Sequence, residues 1–166
     1  MEVIEAIKQR KSERKYLSKK ITKEVLNDII DCARLAPSAC NTQPWRFIVV
    51  TDKAIKNKIA EFSSWGKFLS HCSAAVLVFG KTYQFVVEDC SAATQNILLA
   101  ATGHGIGSCW IAGYRCPYSA DIAEIFSVPK EYELMSIISL GYADTYLERS
   151  RAPKKSLEEV LSFNKF

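Results

Sequence analysis

Four short apolar runs divide the chain, and the segments between them show the spacing of amphipathic helices. The runs are rich in β-branched residues, which is typical of buried strands; they are "RFIVVT", "AAVLVFG", "SCWIAG" and "LMSIISLGYAD". Strands that alternate with helices predict a layered domain with a central sheet. All 166 residues fit one domain, 1–166, which is long enough to bury most of the surface that the unfolded chain exposes.

The helices are predicted from apolar residues that recur three or four positions apart. Thr22 is a good N-cap for the second helix, and the glycines of "GHGIG" are expected to end the long fourth one. The predicted helices cover 2–11, Thr22 to near Ala36, 52–64, Phe85 to about Thr102, and 118–127.

The cysteines, the N-terminal residues and the apolar runs argue against a metal-binding protein, a secreted disulfide-rich protein and a membrane-spanning protein. No two of the six cysteines form a C-x-x-C pair and only two histidines are present, so the spacing of a metal site is absent. The N-terminal "MEVIEAIKQRKSER" has acids where a signal peptide needs an apolar core, so reduced thiols are expected rather than a disulfide framework. No apolar run approaches the ~20 residues of a membrane span. We expect a cytoplasmic protein without a metal ion.

Basic residues are concentrated near both chain ends. The net charge is +4, and residues 8–23 hold eight Lys or Arg against one acid. Solvated surface is the simplest interpretation of each cluster; convergence of the two clusters on one anion is the alternative. Arg10, Ser12 and Arg14 would suit a phosphate, because Arg forms bidentate charged hydrogen bonds and Ser adds a neutral donor. No aromatic platform or recognition helix accompanies them, so no nucleic-acid partner is expected.

Motifs for a reactive side chain are absent. The chain has neither a phosphate-binding G-x-x-x-x-G-K-[ST] nor a G-x-S-x-G elbow. "GHGIGS" follows a helix and precedes a strand, the reverse of a dinucleotide-binding turn. If the protein is an enzyme, a bound cofactor is expected to carry the chemistry.

Four motifs in order, "RKSERKY", "APSACNTQPWRF", "GIGSCWIAGY" and "LGYAD…APKKSLEEV", closely resemble the nitroreductase family of FMN-dependent oxidoreductases in its short single-domain form. The resemblance implies an α+β fold with a central mixed β-sheet flanked by helices, in a domain-swapped homodimer. It also implies two FMN molecules at the dimer interface, each touched by both chains, with the tail 148–166 reaching across the dimer.

The resemblance assigns a role to each motif. It places the FMN phosphate and ribityl chain on "RKSER" and the flavin of the other subunit beside "PSACN". It places the backbone of "WIAGY" at flavin N5 and O4 and the lysine of "WGKFL" near flavin N1 and O2. It also places one basic residue of "RSRAPKK" at the FMN phosphate. No catalytic side chain is implied, because FMN N5 carries the chemistry. The implied cofactor-binding residues are Arg10, Lys11, Ser12, Arg14, Pro37, Ser38, Ala39, Asn41, Lys67, Ala112, Gly113, Arg151 and Lys154.

Several of these residues have a second interpretation. Ser38 and Asn41 also suit turn chemistry after a helix, and Gly113 suits a strand-end bulge. Lys67 is equally compatible with a plain surface lysine. Between the two C-terminal candidates, Lys154 fits the phosphate position better than Arg151.

The implied activity is reduction of nitroaromatic, quinone or similar flat acceptors with NADH or NADPH by a ping-pong mechanism. One alternative is a specialised flavin enzyme on the same fold, such as a dehalogenase, a flavin-degrading enzyme or an azoline oxidase. The other is an FMN-binding or FMN-sensing protein without turnover. Rapid bleaching of bound flavin by NAD(P)H in the absence of oxygen separates an enzyme from a binder.

Overall fold

A computed structural model describes residues 1–144 and 152–166. The predicted helices and strands are all present in it, with ends that differ by a few residues from those expected. Two short 3-10 helices, Ala39–Asn41 and Lys67–His71, lie between them. The longer elements are α1 (Val3–Gln9), α2 (Lys23–Arg34), β1 (Trp45–Val50), α3 (Lys53–Phe62), β2 (Ala74–Lys81), α4 (Val86–Gly103), β3 (Gly107–Ala112), α5 (Ser119–Ile125) and β4 (Tyr132–Gly141).

The four strands form one sheet in the order β1-β2-β4-β3. The α+β class is confirmed, but the prediction of a mixed sheet is wrong for these strands, because all three neighbouring pairs are antiparallel. β2 and β3, which α4 connects, do run in the same direction, yet β4 lies between them, so they never pair. Within the described residues, the parallel contact is an isolated bridge between Ser12 and Ser108.

Helices cover both faces of the sheet, and the two central strands are therefore buried on both sides. On one face, α2 and α4 pack against alternate residues of β2 and β4, among them Val76 and Ile138. On the other face, α3 and α5 pack against Leu77 and Ile137. This arrangement leaves β1 and β3 as the outer strands of the described sheet.

α4 ends with the predicted glycine turn, which directs the chain into β3. Gly105 has a left-handed φ of +69°. Its N–H donates to the carbonyl of Thr102 at 2.9 Å, and the Ile106 N–H donates to the carbonyl of Ala101 at 2.8 Å, the two bonds of a Schellman motif. Among the described helices, none is both long enough and apolar enough to cross a membrane.

α1 forms where the periodicity predicts it, but its apolar face is uncovered. Val3, Ile4 and Ile7 are 68%, 63% and 48% exposed, whereas Ala6 is buried. Residues 152–166 are also exposed throughout, and they include Leu157, Val160, Leu161, Phe163 and Phe166. Clustered apolar side chains of this kind usually mark an interaction surface.

Candidate functional site

β3 is an outer strand of the described sheet, so one side of its backbone is not paired with another strand. The Gly113 N–H donates to the carbonyl of Met135 on β4 at 3.2 Å. In an antiparallel ladder, alternate residues direct their N–H and C=O groups toward the partner strand. The backbone groups of Ser108, Trp110 and Ala112 therefore point away from β4 along an edge.

Residues 11–13 cover the first part of this edge. Ser12 forms a parallel bridge with Ser108, and the Glu13 N–H donates to the Ser108 carbonyl at 2.8 Å. Lys11 lies beside them, with its Nζ 3.3 Å from Glu13 Oε1. The segment predicted to bind phosphate is thus added to the sheet at the start of β3.

Tyr16 holds the same segment against the end of β4. Its hydroxyl donates to the carbonyl of Glu13 and lies 2.6 Å from Ser139 Oγ in a second hydrogen bond. Burial is the main cause that raises the pKa of Tyr16 well above its usual range, so the hydroxyl stays protonated and remains a donor. The Leu17 N–H continues the attachment by donating to the Tyr142 carbonyl at 2.9 Å.

Three of the predicted phosphate-binding residues influence the thiol of Cys109. Burial, the largest cause, raises the pKa of the Cys109 thiol, and Arg14, Ser12 and Arg10 act in the opposite direction. Two guanidinium groups and a hydroxyl are therefore near enough to the start of β3 to act on this thiol, as is the carboxylate of Glu13, which raises its pKa. The guanidinium and hydroxyl donors are the chemistry that a phosphate dianion requires.

The 3-10 helix Lys67–His71 lies next to one of these cations, Arg14. The guanidinium carbon of Arg14 is 5.9 Å from the centre of the Phe68 ring, which places Lys67 in the same region. Lys67 Nζ donates to the carbonyl of Glu61 at 3.0 Å, in the last turn of α3. An ammonium group has three donors, so this bond leaves two for another acceptor.

The far end of β3 presents one backbone donor to the edge. The Tyr118 hydroxyl donates to the Ala112 carbonyl at 2.6 Å, and the Ala112 N–H points away from β4 by the same alternation. Gly113 was also predicted to offer its N–H there; in the described chain that N–H donates to the Met135 carbonyl, which the Tyr114 N–H shares at 3.1 Å. A side chain at Gly113 would place its Cβ 2.9 Å from the backbone of Met135 and Ser136. Glycine is therefore required by packing against β4.

The dimensions of this edge fit a mononucleotide with a flat ring. Ser108 and Ala112 are separated by four strand residues, or about 13 Å at about 3.3 Å per residue. The cations lie at one end of this distance and an unpaired N–H lies at the other. An anion, a flexible chain and a ring with hydrogen-bond acceptors could occupy it in that order.

The Pro37–Asn41 loop has an unusual backbone. Cys40, Asn41 and Gln43 have positive φ values of 51°, 55° and 49°, although none is glycine. Each such residue costs on the order of 1–3 kcal/mol and persists only where its surroundings hold it. Ser38 contributes to the turn by accepting the Gln43 N–H at 3.0 Å.

A buried carboxylate that the sequence analysis missed holds this loop. Asp89, in the first turn of α4, is only 5% exposed. Its Oδ1 accepts the Ala39 N–H at 3.1 Å, and its Oδ2 accepts the hydroxyl of Tyr83. The signal in the sequence is an acid at a core position of the apolar helix "VVEDCSAATQ".

The structure does not bring this loop and the cation cluster together within one chain. α2 and α4 are antiparallel, with Asp28 Oδ2 2.6 Å from His104 Nε2 at one end and Ala39 bound to Asp89 at the other. From Asp89 to Gly103, α4 rises about 21 Å at about 1.5 Å per residue. The cation cluster lies at the end of α4 that leads into β3, and the loop lies at the opposite end, beside the outer strand β1.

The C-terminal candidates are not placed at this site. Lys154 is exposed, and none of the hydrogen bonds or ion pairs given for the described residues joins it to the cation cluster. Arg151 lies outside the described residues.

Comparisons with known proteins identify the family and the fold. The model of the Nitroreductase family matches residues 7–70 and 74–142. A relative from Archaeoglobus fulgidus named "Putative NADH dehydrogenase/NAD(P)H nitroreductase" is 40% identical over 148 residues, which are 85% of each chain. A crystal structure of a protein of the same name from Bacteroides thetaiotaomicron has a TM-score of 0.91 and 30% identity, and covers 99% of this chain and 98% of its own.

A third comparison concerns the cofactor. An FMN-dependent nitroreductase from Clostridium difficile has a TM-score of 0.89 and 32% identity. The match covers 98% of this chain and 99% of that one. The similarity therefore extends over nearly the whole of both molecules.

Replacement of Asp89 tests the role of the buried carboxylate. Asp89→Ala leaves two donors, the Ala39 N–H and the Tyr83 hydroxyl, without their acceptor, and we expect the free energy of unfolding to fall by about 1–3 kcal/mol. Glu88→Ala, at the exposed neighbouring position, is the control and should change it little. Urea unfolding followed by circular dichroism at one fixed protein concentration measures both. Equal effects of the two variants would show that Asp89 does not hold the loop.

Proposed function

The chain belongs to the nitroreductase family of NAD(P)H-dependent oxidoreductases, and from that premise we propose that it binds FMN and reduces nitroaromatic, quinone or similar flat acceptors. When bound, FMN supplies hydride transfer at N5, first from NADH or NADPH and then to the acceptor, in a ping-pong cycle. The observation that carries the proposal is the edge of β3, with its cation cluster at one end and the free N–H of Ala112 at the other.

The N-terminal segment would hold the phosphate end of FMN. Arg10 and Ser12 provide charged and neutral donors, and Arg14 adds a second guanidinium nearer the ribityl chain. Lys11 contributes positive charge that its contact with Glu13 partly balances. Because Tyr16 and the bridge to Ser108 fix this segment to the sheet, the donors are positioned before the anion arrives.

The other end of the edge would meet the ring. The Ala112 N–H would donate to the N5 and O4 side, and a backbone donor there orients the ring without adding a competing acid. Gly113 contributes by letting the strand pack tightly against β4. Lys67 would place a positive charge near N1 and O2, where reduced flavin is negative.

We also propose that the site is completed by a second copy of the chain. Pro37, Ser38, Ala39 and Asn41 would contact the flavin of the partner, because they lie too far from their own cation cluster. The uncovered apolar residues of α1 and the exposed tail 152–166 provide surface for such a homodimer. Lys154, with Arg151 as second choice, would add the remaining positive charge at a phosphate.

We propose a cytoplasmic location for the enzyme. All six cysteines are free, and three of them are buried, which is typical of proteins in a reducing compartment.

Identification of the bound flavin tests the cofactor. We expect the purified protein to be yellow and to release about one FMN per chain on acid treatment, because a single cation cluster can hold one phosphate. Chromatography of the released flavin, with FMN and FAD as standards, distinguishes the two. Recovery of FAD alone, or failure of the apo-protein to take up FMN, would rule out the proposed cofactor.

Arg10→Ala tests the phosphate end separately. Hydrogen bonds to charged groups contribute about 1.5–3 kcal/mol, so the Kd for FMN should rise by roughly ten- to a hundred-fold. Lys15→Ala removes a charge from the same basic segment without removing a predicted contact, and it should change the Kd much less. Quenching of flavin fluorescence during titration of the apo-proteins measures both constants. Equal weakening in both variants would mean that general charge, not a contact of Arg10, attracts FMN.

A further inference from the structure

We propose that a hollow at the opposite edge of the sheet binds the ADP half of NADH or NADPH. The hollow lies where β1 begins and β2 ends, has a volume of about 420 Å³, and is lined by residues 42–46 and 81–83 together with Tyr132. This inference rests on the proposed function, because a dinucleotide that delivers hydride to a flavin must place its second half on neighbouring protein surface.

Two cations in the hollow are available to an anion. Arg46 on β1 and Lys81 at the end of β2 both line it and are both exposed. The ion pairs found among the described residues involve other side chains, so neither charge is neutralised by a neighbouring carboxylate there. Arg and Lys are the usual side chains for pyrophosphate and ribose phosphate groups.

The same hollow offers aromatic surface. Tyr83 and Tyr132 line it, and each is partly exposed. Trp45 contributes to the lining from the start of β1, although most of its ring is buried. A purine base stacks well on aromatic side chains. Cationic and aromatic groups together match an adenine nucleotide better than a purely apolar ligand.

The hollow is continuous with the loop that we propose to face a flavin. Gln43 lines the hollow, and its N–H donates to Ser38 in the loop. Tyr83 also lines the hollow, and its hydroxyl donates to Asp89, which in turn accepts the Ala39 N–H. A ligand in the hollow would therefore touch the two residues that support the loop.

The volume limits how much of the dinucleotide can enter. Sites for small ligands occupy about 300–1,000 Å³, and about 420 Å³ lies near the lower end of this range. The hollow thus suits one nucleotide rather than both. The nicotinamide ring would remain outside it, beside the loop, where contact with the flavin is possible.

Binding of nucleotide fragments to the FMN-loaded protein tests the inference without turnover. The probes are ADP, adenosine 2′,5′-bisphosphate and uncharged adenosine, each titrated by calorimetry. We expect ADP to bind, adenosine to bind more weakly, and the double variant Arg46→Ala/Lys81→Ala to weaken ADP about tenfold. Lys58→Ala, which removes an exposed charge on α3, should leave ADP binding unchanged. Tighter binding of the 2′,5′-bisphosphate than of ADP would identify NADPH as the preferred donor.

Steady-state kinetics give a second readout. In the double variant, the KM for NAD(P)H should rise about tenfold, while kcat, the KM for the acceptor and the Kd for FMN stay at their original values. Absence of ADP binding, or equal ADP binding by the double variant and the parent, would overturn the inference even if the protein holds FMN and NAD(P)H reduces it. A protein that holds no flavin, or whose flavin NAD(P)H does not reduce, would instead overturn the proposed function.

Discussion

The backbone edge of β3 is the constraint on which the rest of the site depends. Backbone N–H and C=O groups must find partners, and β4 satisfies only alternate residues of this strand. Residues 11–13 satisfy the groups at Ser108 by joining the sheet there, and the Tyr118 hydroxyl satisfies the carbonyl of Ala112. The remaining N–H groups face outward, and the cluster of positive charge lies near the start of the same strand. In the proposed site, one strand and the segment attached to it would provide both phosphate binding and recognition of the ring.

A second constraint is the length of α4. This helix separates the cation cluster from the Pro37–Asn41 loop, and it is packed between α2 and the sheet, so the separation is fixed by the core. The loop has positive φ values at Cys40 and Asn41, and the buried Asp89 holds it through the Ala39 N–H. Because the loop lies far from its own chain's cation cluster, the proposed symmetric pair of chains would give the loop and the cluster a common function. A two-fold axis would bring each loop to the other cluster, as expected of an isologous interface.

The sequence predicted local structure well where a short-range rule governs it. The cap of α2 is present, with Thr22 Oγ1 accepting the Val25 N–H at 3.4 Å, and the glycine turn after α4 has the expected bonds. The β-branched runs predicted the strands, but they did not predict which strands pair. The position of β4 between β2 and β3, which run in the same direction, depends on contacts between residues far apart in the sequence. Strand register likewise decides which N–H groups of β3 face outward, and the sequence alone does not give that register. Asp89 escaped notice because the loop residue that it holds, Ala39, lies 50 residues earlier in the sequence.

The central claim is that the dimer has two FMN sites, each formed by residues of both chains. FMN binding and dimerisation would then stabilise one another. Sedimentation equilibrium of the full-length protein and of a variant lacking residues 149–166, each with and without FMN, tests it most directly. A ligand that binds only the assembled form shifts the equilibrium toward that form. The account predicts that FMN tightens the full-length dimer and that the truncation weakens both dimerisation and FMN occupancy. A truncated monomer that retains one tightly bound FMN would contradict the account.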